Sequence, residues 1–175
     1  MATNAKTKTR HAAQRKSRRV QPEAGSAIAL LKHDHREVEQ MFEDFEGLED
    51  DAAKGKLARQ ICMALKVHTQ IEEEIFYPAA RKATGDNDLL DEAAVEHAGA
   101  KYLIGQIEKM KPGDDLFDAK VTVLGEQIKH HVKEEEEELF PEVESSDMDV
   151  AAVGKQMAAR KKELMGQSAM MAAAE

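Results

Sequence analysis

Two stretches of this chain are nearly the same, and together they restrict what it can fold into. Leu65 to Pro78 reads LKVHTQIEEEIFYP and Ile128 to Pro141 reads IKHHVKEEEEELFP. Laid over one another without gaps, they pair Lys66 with Lys129, His68 with His131, Glu72 with Glu135, Glu73 with Glu136, Glu74 with Glu137 and Pro78 with Pro141. Each copy holds a His and a Glu four residues apart. On a helix of about 3.6 residues per turn, that spacing puts both side chains on one face. An imidazole beside a carboxylate is half of a site for a first-row transition metal, and two such halves can clasp metal between two helices.

The remainder of the chain supplies helices to build on. Apolar residues make up 42%, charged residues 34% and aromatics 4%, with few glycines or prolines inside the long periodic segments, which predicts an all-α protein. The 175 residues suffice for one domain with a sizeable core and hardly for two. No run of about 18 apolar residues is present, so a spanning helix is not expected. The single Cys62 cannot form an internal disulfide, which fits a reducing, cytoplasmic setting, and it reads as a core filler. Ser26 caps a first helix ending near Glu49, and a second runs from Asp51 or Ala52 to about Ala83, with Pro78 expected to kink it and Gly85 to stop it. A turn at Asp86 and Asn87 leads to a third helix from about Asp88 to Met110. Asp114 or Asp115 caps a fourth that reaches about Glu144. Short connections oblige consecutive helices to be antiparallel, which predicts an up-down-up-down four-helix bundle over residues 25–145. Residues 146–175 read as a short fifth helix, capped by Asp147 or Asp149 and fraying after Gly166. Its apolar face of Val150, Val153, Met157 and Leu164 would pack across the bundle or against a second copy, as monomer or homodimer. Residues 1–24 carry seven Lys or Arg against Glu23 alone and almost no aliphatics, so they are expected to be a disordered basic tail without a secretory h-region. Such an arm suits weak, sequence-blind contact with nucleic acid.

Placed on these helices, the histidines share one level. His35 lies 14 residues before Glu49 and His68 lies 16 after Ala52. His97 is 13 before Met110 and His131 is 17 after Asp114, a mismatch of about 6 Å. His35 with Glu39, His68 with Glu72 and His131 with Glu135 repeat the four-residue spacing on three helices, and His97 supplies the fourth. In the run Glu134 to Glu138, only Glu135 and at most Glu136 are expected to point inward with His131. His33 and His130 read as surface residues, as do Asp34 and Glu96 beside the ligands. Tyr77, nine residues past His68, falls half a turn off the ligand face. Four imidazoles and two or three carboxylates exceed what one tetrahedral zinc needs, and such mixed nitrogen and oxygen donors suit two iron ions ahead of manganese. Ferritin-like bundles carry Glu-x-x-His, and no glutamate lies three before any of the seven histidines.

In LLKHDHREVEQMF, HTQIEEEIFYP, VEHAGAKYLIGQIE and IKHHVKEEEEELFP, across about residues 26 to 144, the chain resembles the hemerythrin-like, HHE cation-binding family. The resemblance implies a four-helix bundle around a non-haem di-iron centre, with two oxo- or hydroxo-bridged irons. On that basis His35, His68, Glu72, His97, His131 and Glu135 match ligand positions, with Glu72 and Glu135 bridging. The oxygen-carrying members have His-x-x-x-His on the third helix, and here Lys101 stands in the second place. Either Glu39 fills that vacancy or one iron keeps an open position for water, peroxide or oxygen. Loss of an imidazole favours the ferric state. The leading expectation is therefore a protein that binds oxygen or another small diatomic ligand, or reacts with peroxide, in oxidative-stress response or iron handling. The alternatives are an iron or oxygen/redox sensor without turnover, and a polyanion-binding module acting through the tail. Whether the chain is an enzyme is left open.

Overall fold

The computed structural model describes residues 25–85 and 87–172, and the basic tail lies outside them. Everything regular among the described residues is helical. Helix α1 spans Ala27–Glu46 and starts where the Ser26 hydroxyl accepts the N–H of Ala29 at 3.2 Å. Helix α2 spans Asp51–Ile71, with the Asp50 carboxylate accepting the N–H of Ala53 at 2.8 Å. Both caps satisfy donors that a first helical turn leaves free.

Beyond Ile71 the chain differs from its sequence expectation. A π-helical turn, π1 (Glu72–Phe76), leads directly into α3 (Tyr77–Thr84), and the torsions at Ile71, Glu72, Phe76 and Tyr77 are all right-handed helical. Pro78 therefore does not break the rod. Its ring would meet the carbonyl four residues back, and it has no N–H to give. The preceding turn widens instead, with the N–H of Tyr77 donating to the Glu72 carbonyl five residues earlier. Gly85 then stops the rod at φ 74, as expected of a left-handed cap.

The second half repeats the device. Helix α4 (Asp88–Ile107) ends three residues sooner than expected, in tightened turns at Lys109 and Met110. Helix α5 (Phe117–Glu134) begins later than Asp114, whose carboxylate accepts the N–H of Lys111 at 2.7 Å and whose carbonyl accepts that of Phe117 at 3.1 Å. That aspartate closes a turn instead of capping a helix. The π-turn π2 (Glu135–Leu139) and α6 (Phe140–Ser145) follow without a break, Phe140 donating to the Glu135 carbonyl ahead of Pro141.

Helix α1 packs on α2 and α5, and α4 packs on α5 and α2, consistent with a helical bundle. The final helix α7 (Val150–Ala172) is long where a short helix was expected. Gly166 interrupts a run of good helix formers at a cost of only about 1 kcal/mol, and buried Met157 and Leu164 anchor the helix on both sides of its middle. It lies across α1, α2 and π1 of its own bundle. A Cβ on Gly154 would come within 2.6 Å of the Ala27 nitrogen and the Gly25 carbonyl, so this crossing requires a glycine.

The core is divided in two. One cluster gathers Ile28, Leu31, Ile71, Phe76, Leu139, Phe140 and Met157. The other gathers Val38, Ile61, Leu65, Ile104, Leu124 and Ile128, with Cys62 buried among them and its thiol pushed up to about 11 by burial. His35 falls between Leu31 and Val38, and His68 between Leu65 and Ile71. The candidate ligands thus form a polar layer between two apolar cores. No helix among the described residues is long and apolar enough to cross a membrane.

Candidate metal centre

Six of the seven predicted ligands meet in that layer. His35, His68, Glu72 and Glu135 each offer one donor atom within 4.8 Å of the others, and so do Glu72, His97 and His131. Glu72, with no exposed surface, belongs to both groups. Its Oε1 lies 3.2 Å from His68 Nε2 and its Oε2 lies 3.4 Å from His97 Nε2. Glu135 Oε2 sits 3.3 Å from His35 Nε2 and 3.6 Å from His131 Nε2. Within the second group His97 Nε2 and His131 Nε2 come within 3.1 Å, and the contact of Glu135 with His131 joins that group to the first.

The seventh, Glu39, is elsewhere. Four residues past His35, it has reached the next turn of α1, where its carboxylate accepts from Arg36 at 2.5 Å on a partly exposed surface. Lys101 is outside as well, its ammonium donating to Glu73 at 2.5 and 2.6 Å. Tyr77 comes in instead. Its hydroxyl donates to Glu135 Oε1 at 2.9 Å and lies 3.2 Å from His97 Nε2. Nine residues of α-helix would carry it about 180° from His68. The π-turn absorbs roughly one residue, or about 100°, and swings it toward the layer. The prolines six residues after Glu72 and Glu135 are the sequence signal that could have revealed this.

A shell of carboxylates surrounds the rings. His35 Nδ1 faces Glu136 Oε1 at 2.9 Å, His97 Nδ1 faces Glu73 Oε1 at 3.0 Å and His131 Nδ1 faces Glu96 Oε2 at 2.8 Å. His68 Nδ1 lies 3.6 Å from Asp34 Oδ2, at ion-pair distance. Asp34 and Glu96, expected on a solvated face, thus back histidines on the neighbouring helix. The three hydrogen bonds favour Nδ1 of His35, His97 and His131 as the protonated nitrogen and leave Nε2 facing the layer's centre. His33 and His130 are on the surface as expected. Between α1, α2 and α7 a cavity of about 500 Å3 reaches Asp34 and His68, walled by Val38, Met41, Met63, Leu65 and Met165.

The layer fits a cation. The Nε2 atoms of His35 and His68, both oxygens of Glu72 and Oε2 of Glu135 are buried without a hydrogen-bond partner. Each such atom costs on the order of 1–3 kcal/mol unless something satisfies it. All five are nitrogen or oxygen donors of the kind that hold first-row metals. The charges agree. Burial works against ionisation of Glu72, yet the neighbouring His68 and His97 hold its carboxyl well below the usual range. Burial likewise opposes a charge on His68, and Glu72 and Asp34 overcome it, raising the imidazole to about 10. Without metal, protons on His35, His68 and His131, all raised by neighbouring carboxylates against the effect of burial, offset the negative charge of the layer. A metal ion must displace them, so its uptake releases protons. Burial, together with Glu135 and Glu72, raises the Tyr77 phenol well above its ordinary value, so the group keeps its hydrogen.

Comparison with known proteins bears on the fold and the family. The chain is 28% identical over 117 residues to a protein from a Nostoc species named as a DNA nickase. That alignment takes in 67% of this chain and 33% of the relative, so the chain spans about a third of the relative's length. The crystal structure of a hemerythrin HHE cation binding domain-containing protein from Mycobacterium kansasii superposes with a TM-score of 0.71 at 20% identity, over 83% of this chain and 90% of that one. At that identity it speaks for the fold alone. The profile of the hemerythrin HHE cation binding domain matches residues 26–143, from the cap of α1 into α6 and through the whole polar layer. This chain belongs to the hemerythrin HHE cation binding domain family.

Proposed function

We propose that the layer holds two iron ions, one among His35, His68, Glu72 and Glu135, the other among Glu72, His97 and His131, with the Tyr77 hydroxyl beside them. On this reading the loaded protein binds dioxygen or reacts with peroxide, in oxidative-stress response or iron handling. The observation that carries it is Glu72, whose two oxygens face different histidine groups and have no hydrogen-bond partner. A carboxylate placed in that way suits two ions better than one. The reading takes the four rods to run up-down-up-down, as their short connections require.

Paired irons would supply electron exchange with dioxygen or peroxide. What the chain contributes can be derived from its own groups. Tyr77 holds a proton at its hydroxyl and donates it as a hydrogen bond to Glu135 Oε1. Asp34, Glu73, Glu96 and Glu136 fix the rings. Leu31, Ile71, Phe76 and Phe140 exclude water from one side and Leu65 and Ile128 from the other, which strengthens every electrostatic interaction between them.

Metal analysis with visible spectra of the anaerobically reduced protein, before and after air or peroxide, tests the reading. We expect about two irons per chain and a ferric band that grows once and is not reversed under vacuum. Peroxide consumption should fall in His68→Ala, and equal rates in the two proteins would remove the catalytic part of the reading. A separate role for residues 1–24 in touching nucleic acid is favoured by their seven basic residues. Filter binding of duplex DNA at low and high salt, with and without that segment, checks it; unchanged retention after deletion refutes it.

A further inference from the structure

Each inner histidine is backed by a carboxylate, and each carboxylate is in turn backed by a base. Glu136 behind His35 receives Arg36 at 2.5 Å, Glu73 behind His97 receives Lys101 at 2.5 Å, and Asp34 behind His68 receives Lys161 of α7 at 2.5 Å. The fourth arm differs. Glu96 behind His131 faces His130 Nε2 at 3.6 Å, and no lysine or arginine among the described residues forms an ion pair with it. Helix α7 covers the α1 and α2 side and brings Lys161. Among the described residues nothing equivalent covers His130, whose side chain is 62% exposed. An ammonium or guanidinium at this place can only carry charge, whereas a neutral imidazole can bind a metal.

A third donor completes the group. His130 and Glu134 stand one turn apart on α5, with Nε2 3.1 Å from Glu134 Oε1. Donor atoms from Glu96, His130 and Glu134 all lie within 4.8 Å of one another. Beside them runs a groove of about 440 Å3, lined also by Glu126 and Gln127, which leaves further coordination positions to water. We propose that Glu96, His130 and Glu134 form a surface site for a divalent first-row transition ion, which takes the place that Arg36, Lys101 and Lys161 occupy in the other arms. One imidazole and two carboxylates select such an ion over magnesium or calcium, which prefer oxygen alone. Glu96 gives one oxygen to this site and the other to His131 Nδ1, so occupancy at the surface is felt at a ring of the buried layer.

The site is tested by equilibrium dialysis of the full chain against Zn2+, counting ions per chain in wild type, His130→Ala and Glu134→Gln. We expect wild type to hold one more zinc than His130→Ala, with Glu134→Gln weakening that ion at least tenfold. In the zinc-loaded wild type, the 15N signal of the His131 ring should move as the last equivalent binds, and it should stay still in His130→Ala. Equal stoichiometries overturn the proposal. So does an additional zinc that leaves His131 unmoved, which is an adventitious ion only. The difference of one ion holds however many the buried layer takes, so a failure there lowers all totals alike and is told apart from a failure here.

Discussion

The two halves of the bundle, residues 27–84 and 88–145, place matching groups around one layer and then finish them differently. Asp34 and His35 on α1 correspond to Glu96 and His97 on α4. His68, Glu72, Glu73 and Pro78 correspond to His131, Glu135, Glu136 and Pro141. In each half the carboxylate just before the first histidine backs the second histidine, and the glutamate after the buried one backs a histidine of the other half. The aromatic ring before proline breaks the likeness. Tyr77 sends a hydroxyl to Glu135, whereas Phe140 only stacks on His35, with ring centroids 5.9 Å apart and planes 5° from parallel. One consequence is that the two buried glutamates are not equivalent. Glu72 turns both oxygens to histidines, while Glu135 has Oε1 occupied by the tyrosine. Near-identical sequence fixes the frame, and single atoms decide how the layer is shared.

The largest effect should come from removing the shared carboxylate. Glu72→Ala deprives both histidine groups and should leave less than one iron per chain after loading, by mass spectrometry of the metal. Glu135→Ala, whose lost oxygen is partly committed to Tyr77, should retain more. Equal losses would mean that the halves share the layer evenly and that the tyrosine is irrelevant to it.

Next in size is a pH effect on the metal-free protein. His68 is raised from 6.5 to about 10, so the stability it lends is complete below 6.5 and drains away as pH climbs toward 10. Glu72 is held well below 4.5, so its contribution is present above 4.5 and is lost as pH falls beneath it. Urea midpoints after chelation should therefore be highest between about 4.5 and 6.5 and decline toward pH 10. His131 is raised too, by Glu96 and Glu135 against the opposing effect of burial. His68→Asn and His131→Asn should both flatten the alkaline decline. A decline that only one of them flattens would break the symmetry at the level of charge.

The rods were largely legible because each buries a stripe at helical spacing, and the inner histidines were legible because they recur at one height. What escaped follows from two physical causes. Counting at 3.6 residues per turn fails across a π-turn, so it puts Tyr77 on the wrong face and predicts a kink at Pro78 in a rod that stays continuous. The partners of Asp34, Glu73 and Glu96 lie on neighbouring helices, and no spacing within one helix reveals a contact across two. Glu39 misled for the complementary reason. The same spacing that joins His68 to Glu72 also occurs where Arg36 offers the glutamate a nearer partner.

Exchanging the aromatic positions comes third. Tyr77→Phe makes the first half resemble the second and leaves Glu135 Oε1 buried without its donor, at a cost of about 1–3 kcal/mol in chemical denaturation of the metal-free protein. Phe140→Tyr should not compensate, because that ring stacks on His35 and a hydroxyl there does not restore the donor that Glu135 Oε1 loses. Equal stability of wild type and Tyr77→Phe would show that the hydroxyl contributes nothing to the layer.

The smallest effect belongs to α7, which packs chiefly on the first half. Lys161 pairs with Asp34, which lies at ion-pair distance from His68, while Arg160 donates to Glu74 on the outer face of π1 and holds that carboxyl at about 2. Lys161→Met removes the charge and keeps the packing, leaving Asp34 free to rotate away from the ring. Outer partners of this kind change metal affinity by about 10–100-fold, and the long 3.6 Å contact places this one at the lower end. Competition with a chelator should register roughly tenfold weaker retention of the ion on the His68 side. Lys101→Met, acting through Glu73 and the shorter 3.0 Å contact to His97, should weaken the other ion somewhat more. If Lys161→Met proves the costlier of the two, distance to the ring is not what governs these arms, and the added helix matters more to the centre than its position suggests.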